Sequence, residues 1–439
     1  MASPSYPSWG RYPQAGQTAL RYDWPGAEPG FAGNTSCLPR GNGRSYGDVC
    51  LNDGGALLDC RGLNRFIAFD EASGVLRCEA GVLLADILDT FVPRGWFLPV
   101  TPGTRFVTVG GAIANDVHGK NHHRAGTFGG QVRALELLRS DRTRLRCCPE
   151  ENADWFGATV GGLGLTGVIT WAEIQLKSIQ NAAIIQETLP FAGINEFFDL
   201  AAESDRSHEY TVAWVDCLAQ GQALGRGVFT RGNHAPGDGA PPAPRSWLSV
   251  PVELPFPLVS RLSLKASNRL YRARVGHDAR QSRVHYQPFF YPLDAIGHWN
   301  RIYGRRGFLQ YQNVIPTEAA PDAMADILKR VARSGTGSFL AVLKMFGEMA
   351  SPGWLSFPMA GATLALDFPN RGSKTLRLLD ELDQITHAAG GRVNPSKDAR
   401  MSAAHFQQAF PRWQELENMR DPAISSSFWR RVTGRGRAK

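Results

Sequence analysis

Two glycine-rich stretches carry the residue types that could do chemistry in this chain. The first, Pro39-Arg40-Gly41-Asn42-Gly43-Arg44-Ser45-Tyr46-Gly47-Asp48, puts three glycines within seven residues beside two arginines and a serine. Glycine admits the backbone angles that let successive N–H groups converge, and such a concavity holds an anion without a helix behind it. An ordinary surface turn explains the same letters. The second stretch starts at Pro102-Gly103-Thr104, passes through Thr108-Val109-Gly110-Gly111-Ala112, and ends in Asn115-Asp116-Val117-His118-Gly119-Lys120-Asn121-His122-His123. Residues this small let the backbone lie against a flat ring system, while Thr108 and Asn115 offer hydrogen bonds to ring edges. The histidines suggest a metal. However, Gly119 breaks the helix that an i, i+4 pair needs, so no metal is expected, and His122 and His123 read as structural.

Two pattern matches fail on context. Gly162-Leu163-Gly164-Leu165-Thr166-Gly167 fits G-x-G-x-x-G, but the β-branched run 168–176 that follows reads as a strand where a dinucleotide site needs a helix. Gly43-Arg44-Ser45-Tyr46-Gly47 fits the serine nucleophile elbow, and the residues after it again supply no helix.

These stretches must be positioned by a mixed α+β frame. Strands are expected at 56–59, 75–79 and 96–100, with an amphipathic helix at 83–91. Past residue 178 the pattern changes to a helix at 191–203 and strands at 210–216 and 225–230. Segment 233–245 is a Pro/Gly/Ala loop, and 247–264 is apolar but broken by three prolines, so no continuous helix spans it. A basic run, 265–274, follows. Helices are expected at 316–333, capped by Thr317, and at 373–389, ended by Gly390-Gly391; strands fall at 339–346 and 363–368. The chain closes on Arg430, Arg431, Arg435, Arg437 and Lys439.

Composition narrows the function classes. With 48 Lys+Arg against 40 Asp+Glu over 439 residues, the balance of +8 suits an anionic ligand or surface but is too diffuse to imply nucleic acid. No run approaches the roughly 18 apolar residues of a membrane span, and no secretory signal is visible at the start. Seven scattered cysteines fit a reduced compartment.

Taken together, PRGNGRSYGD, PGTRFVTVGGAIANDVHGKNHH, ATVGGLGLTGVI, QYQNVIPTEA, VLKMFG, LDFP and GGRVNPSKDAR resemble, in order, the polyprenyl-phosphoryl-ribose 2′-oxidases of the vanillyl-alcohol-oxidase (PCMH-type) flavoprotein superfamily. The resemblance runs from about residue 20 to the end. It implies an α+β, two-domain PCMH-type FAD-binding fold whose antiparallel-sheet substrate domain covers the flavin. The implied units are an N-terminal extension (1–19), an FAD domain (20–180), a substrate domain (181–390) and a C-terminal segment (391–439) returning to the FAD domain. Pro39 to Asp48 would hold the pyrophosphate. Gly103, Thr108, Val109, Gly110, Gly111, Asn115, Asp116, Val117, His118, Val168 and Ile169 would line the rest. Asn394 stands where the family usually has tyrosine. Arg44 stands where many members carry the histidine that tethers FAD covalently, so the FAD is expected to be non-covalent.

Oxidising a secondary alcohol needs a hydride acceptor, a base and charge stabilisation. By resemblance, Lys397 stabilises charge on the flavin and orients the hydroxyl; Tyr46 and His118 form the polar wall, with His118 also a candidate proton acceptor. Tyr311, Gln312, Lys344 and Ala365 would line the substrate pocket, Lys344 toward a phosphate. Ala365 replaces a cysteine of mycobacterial relatives. The implied reaction converts the C2′ hydroxyl of a lipid-linked ribose to a keto sugar, the first half of an epimerisation to arabinose for envelope glycan. A short-chain-type keto-reductase would complete it. Segment 247–264, the basic run and the tail suit peripheral attachment to an anionic membrane, on the cytoplasmic side of the inner membrane or its periplasmic side. A soluble polyol or aldonolactone oxidase is the alternative, and a non-catalytic basic binding protein a second.

Overall fold

Period-two alternation decides the architecture. In the strand Phe308–Ile315, Gln310 and Gln312 point to one face while Tyr311 points to the other, and the neighbouring strand Gly361–Pro369 repeats the pattern with Thr363 and Ala365 against Leu364 and Leu366. These strands belong to an eight-stranded antiparallel sheet. Its order is Arg280–His285, Ala183–Phe191, Gly227–His234, Tyr210–Val215, Ala341–Phe346, Gly361–Pro369, Phe308–Ile315 and Arg392–Val393. The computed structural model describes residues 6–27, 29–31, 35–237, 239–244, 248–253, 255–276 and 278–434. Arg245, Trp247, Arg435, Arg437 and Lys439 lie outside the described residues.

Helices Ile194–Ser204, Ala320–Ser334 and Ser373–Ala388 cover one face of this sheet. In Ala320–Ser334 the buried positions are 320, 323, 324, 327, 328, 331 and 332, the spacing of one helical stripe. Each buried Leu, Ile or Met contributes roughly 1.5–3 kcal/mol on leaving water. The opposite face carries Gln186, Thr230, Gln310, Gln312, Lys344 and Thr363, and helix Arg261–Val275 lies over part of it, with Tyr271 4.7 Å from Trp214.

The glycine-rich segments sit on two smaller sheets. A three-stranded parallel sheet runs Thr18–Arg21, Ala56–Asp59, Cys37–Arg40, and the first glycine loop leaves its last strand. A five-stranded antiparallel sheet orders Phe66–Asp70, Val75–Glu79, Val168–Gln175, Val132–Leu138 and Arg144–Cys147. The run after Gly167 is thus the strand expected, not a helix.

Several boundaries differ from expectation. The helix expected from 316 begins at Ala320, because Pro321 fits only a first turn; Thr317 is not its cap. Strand Gly227–His234 extends into the supposed loop, since Ala183–Phe191 pairs along its whole length. The strand at 96–100 shrinks to Trp96–Phe97. Ser260 Oγ accepts from Ser263 N–H and starts a helix, Arg261–Val275, that absorbs the basic run. The seven cysteines are all free.

Leu328→Ala removes a side chain with 1% exposure from the helix–sheet core. It should destabilise the protein by about 2–5 kcal/mol in chemical denaturation; a loss under about 0.5 kcal/mol would contradict this packing.

Candidate active site

A cavity of about 630 Å³ lies between the glycine segments and the polar face of the large sheet. Pro39, Arg40, Gly41, Asn42, Gly43, Arg44, Ser45 and Tyr46 form one wall with Gly103, Thr108, Gly110, Gly111, Asn115, Asp116, Val117, His118, Val168 and Ile169. Gln310, Gln312, Thr363, Ala365, Lys344, Asn394 and Lys397 face them.

The first wall suits a dinucleotide. Gly43 holds φ +62°, and the N–H groups of Asn42, Gly43, Arg44 and Ser45 meet no acceptor among the described residues. Such unpaired N–H groups on a glycine turn are what an anion concavity requires. A Cβ at Gly103 would touch nothing and project into the cavity, so the backbone there can lie directly on a ring. The buried Oδ1 of Asn115 has no partner among the described residues, while its Nδ2 donates to Gly111 C=O. Arg44 stacks over Trp9, its guanidinium carbon 4.0 Å from the ring centre, with Phe106 at 5.5 Å. It offers no imidazole for a covalent tether. Residues 41–46, Gly103 and Asn115 therefore fit FAD.

The opposite wall is a hydrogen-bond chain with a fixed direction. Ser396 N–H donates to Asn394 Oδ1 (3.0 Å), Asn394 Nδ2 donates to Gln312 Oε1 (3.0 Å), and Gln312 Nε2 therefore donates to His118 Nε2 (3.0 Å). A neutral imidazole with an accepting Nε2 carries its one proton on Nδ1. That N–H faces Lys344 Nζ at 3.2 Å, which accepts it as the neutral amine and itself donates to Gly119 C=O at 2.9 Å. Burial first, then the charge of Lys344 when it is protonated, hold the His118 pKa well below its usual value. His118 has no free lone pair for a substrate proton, so its expected role as acceptor gives way to a positioning one.

Three lysines share the space. Burial lowers Lys120 to about 7, and burial with the charges of Lys120 and Lys397 lowers Lys344 to about 7. Lys397 falls to about 8, again through burial, with Asp367 opposing the shift. Its Nζ sits 4.1 Å above the Tyr46 ring, whose phenol burial keeps protonated. Lys120 donates to Phe289 C=O and lies 4.8 Å from that ring. Asp367, pushed up to about 7 by burial, accepts from Gln310 Nε2 at 2.6 Å.

Four expected site residues point elsewhere. Tyr311 faces the helices, its hydroxyl 2.8 Å from Thr386 Oγ1, because it alternates with Gln310 and Gln312. Gly47 turns onto the C-terminal segment, where a Cβ would collide with Asp398 C=O. Asp48 pairs with Arg431. Val109 is core, its N–H bonded to Val82 C=O. Asp116 lines the cavity by its backbone, while its carboxylate accepts from Ser351, Ser356 and Gly129 N–H. Residues not anticipated include Lys120, Gln310, Trp9 and Ser396. Gln310 was findable two residues before Gln312, and Lys120 inside HGKNHH. Leu163 and Gly164, from the rejected dinucleotide pattern, also line the wall. Among the described residues no group of three or more His, Cys, Asp or Glu could hold a metal ion.

Residues 32–148 match the FAD binding domain family. Decaprenylphosphoryl-beta-D-ribose oxidase of Mycolicibacterium smegmatis is 36% identical over 417 residues, 91% of this chain and 90% of that one. An uncharacterized protein of Streptomyces coelicolor is 33% identical over 361 residues, 79% of this chain and 97% of its own. L-gulonolactone oxidase of Mus musculus matches over 177 residues at 30% identity, 40% of this chain and 39% of that enzyme. Fold and site define an FAD-dependent oxidoreductase with a PCMH-type flavin domain. Within that class, the chain belongs to the decaprenylphosphoryl-β-D-ribose oxidase family.

The lowered lysine pKa values set a pH dependence. Unfolded lysine binds its proton up to about 10.4, whereas folded Lys344 releases it near 7. Between these values the unfolded chain binds more protons, so stability rises with pH. Lys344→Met should melt higher than the native protein at pH 6.5, with the advantage shrinking by pH 9.5. A pH-independent difference in melting temperature would refute the assignment.

Proposed function

We propose that this protein oxidises the C2′ hydroxyl of a polyprenyl-phosphoryl-β-D-ribose to the 2′-keto sugar, as the first half of an epimerisation completed by a separate keto-reductase. The observation carrying this reading is the pairing of a cationic chamber with an apolar mouth. Lys120, Lys344 and Lys397 suit an anionic head group, and the rim includes Ser267 and Tyr271 of helix Arg261–Val275, whose outer surface is apolar and basic.

Bound FAD supplies the hydride acceptor. Gln310, Gln312 and Asn394 present amides that can orient sugar hydroxyls. Lys397, held between the Tyr46 ring and Asp367, supplies positive charge where negative charge develops. Lys344 keeps the His118 ring in place and balances a phosphate. Ala365 occupies the register position opposite Gln312, so no thiol takes part there.

The same helix supports peripheral attachment to an anionic bilayer, at the inner membrane. Leu262 is 82% and Leu270 72% exposed, and only Leu264 and Asn268 are buried. Arg261, Lys265, Arg269, Arg272 and Arg274 accompany them with no acidic residue in the helix. Phe256, Val252 and Leu248 extend the exposed patch. No described helix is long and apolar enough to cross a membrane.

Anaerobic addition of a polyprenyl-phosphoryl ribose should bleach the flavin, while xylitol and an aldonolactone in parallel should not. Bleaching by the lactone alone would replace this reading with a soluble-substrate oxidase. Lys397→Ala should retain FAD yet slow the bleaching by roughly 10²–10³; an unchanged rate would remove its role. The protein should float with anionic vesicles and the Leu262→Asp/Leu270→Asp variant should not. Equal behaviour of the two would exclude this helix as the contact.

A further inference from the structure

The loop that forms the anion concavity and the loop that carries Lys397 come from opposite ends of the chain, yet they are docked backbone to backbone. Tyr46 N–H donates to Ser396 C=O at 3.0 Å. One residue on, the absence of a side chain at Gly47 lets its Cα rest on the Asp398 carbonyl. Beneath this contact lie two carboxylates with almost no exposure, Asp48 at 3% and Asp398 at 4%. Asp48 immediately follows the first docked segment, and Asp398 ends the second.

One guanidinium joins them. Arg431, from the C-terminal helix Ser427–Thr433, donates from Nε to Asp48 Oδ2 (2.9 Å) and from Nη2 to Asp48 Oδ1 (2.7 Å). The same Nη2 donates to Asp398 Oδ2 at 2.9 Å, and Nη1 donates to Met401 C=O. Asp398 is otherwise filled by the N–H groups of Arg400 and Met401, which fixes the turn just after Lys397. Without the cation two buried carboxylates would face each other, and burial already raises the Asp48 pKa despite its partner. A planar fork reaches both acids at once, whereas a lysine ammonium on a flexible stem supplies a single point of charge.

We propose that Arg431 is a positioning residue that locks the phosphate-cradling loop 41–47 to Lys397, so that cofactor affinity and the placement of the lysine depend on one side chain outside the cavity. The inference rests on the FAD site and on Lys397 lying beside the flavin, and is independent of the sugar substrate.

The test uses the FAD-loaded protein and two readouts that need no substrate: the FAD dissociation constant, and the affinity of bound flavin for sulfite, which rises with positive charge beside the ring. Arg431→Lys should melt within a few degrees of the native protein. It should weaken FAD and sulfite binding each about tenfold, the scale of losing charge-assisted hydrogen bonds. In the double variant with Lys397→Ala, sulfite affinity should fall no further than in Lys397→Ala alone, because the arginine acts on sulfite only through that lysine. Should Arg431→Lys fail to fold, Asp48→Asn keeps the arginine and reads the same quantities. Native FAD and sulfite affinities within twofold in the folded variant, or independent multiplying losses in the double variant, would overturn the proposal. Failure of the lipid-linked sugar to bleach the flavin would leave these readouts unaffected.

Discussion

Placing three ammonium groups in one enclosed chamber is the constraint around which the molecule is arranged. Each buried cation costs several kcal/mol unless neighbours compensate it, and the compensation is local and different for each. Lys120 has a carbonyl and an aromatic ring, Lys344 a carbonyl, Lys397 a ring and a carboxyl. Among the described residues none is neutralised by a close ion pair. The chamber therefore keeps net attraction for anions while holding its side chains still, which is what a phosphate-bearing substrate and a flavin accumulating charge both need.

Holding those side chains falls to the sheet. Alternation along Phe308–Ile315, Ala341–Phe346 and Gly361–Pro369 sends Gln310, Gln312, Lys344, Thr363 and Ala365 into the chamber and Tyr311, Leu343, Leu364 and Leu366 into the helix-covered core. Packing energy on one face thus fixes chemistry on the other. A slip of one residue in register would exchange the two sets.

The glycine segments were legible because their backbone demands leave a mark in composition: small residues where a ring or phosphate must approach. Helices and strands with clean periodicity were legible for the same reason. Side-chain direction inside a loop was not. Gly47 and Asp48 belong to the same run as Asn42 and Gly43, yet they turn outward because residues 396–398 and 431, distant in sequence, dock there. Tyr311 was misplaced for a simpler reason, since adjacent strand residues cannot share a face. Helix Arg261–Val275 escaped notice because its periodicity is weak: it buries only two side chains and exposes most of its leucines. The family resemblance supplied Lys397, whose Ser-Lys-Asp setting alone reads as a solvated turn.

Charge in this chamber is adjustable near neutrality. Burial moves Asp367 up to about 7 and brings Lys344 and Lys397 down to about 7 and 8, so acid and bases converge on a narrow interval. Groups that titrate together exchange protons as a set. An arriving phosphate favours the ammonium forms, drawing protons onto the lysines as it binds. In the proposed reaction the negative charge of the substrate would thereby help create the positive charge that holds it, and the apolar walls that make the lysines weak bases in its absence would make this response large.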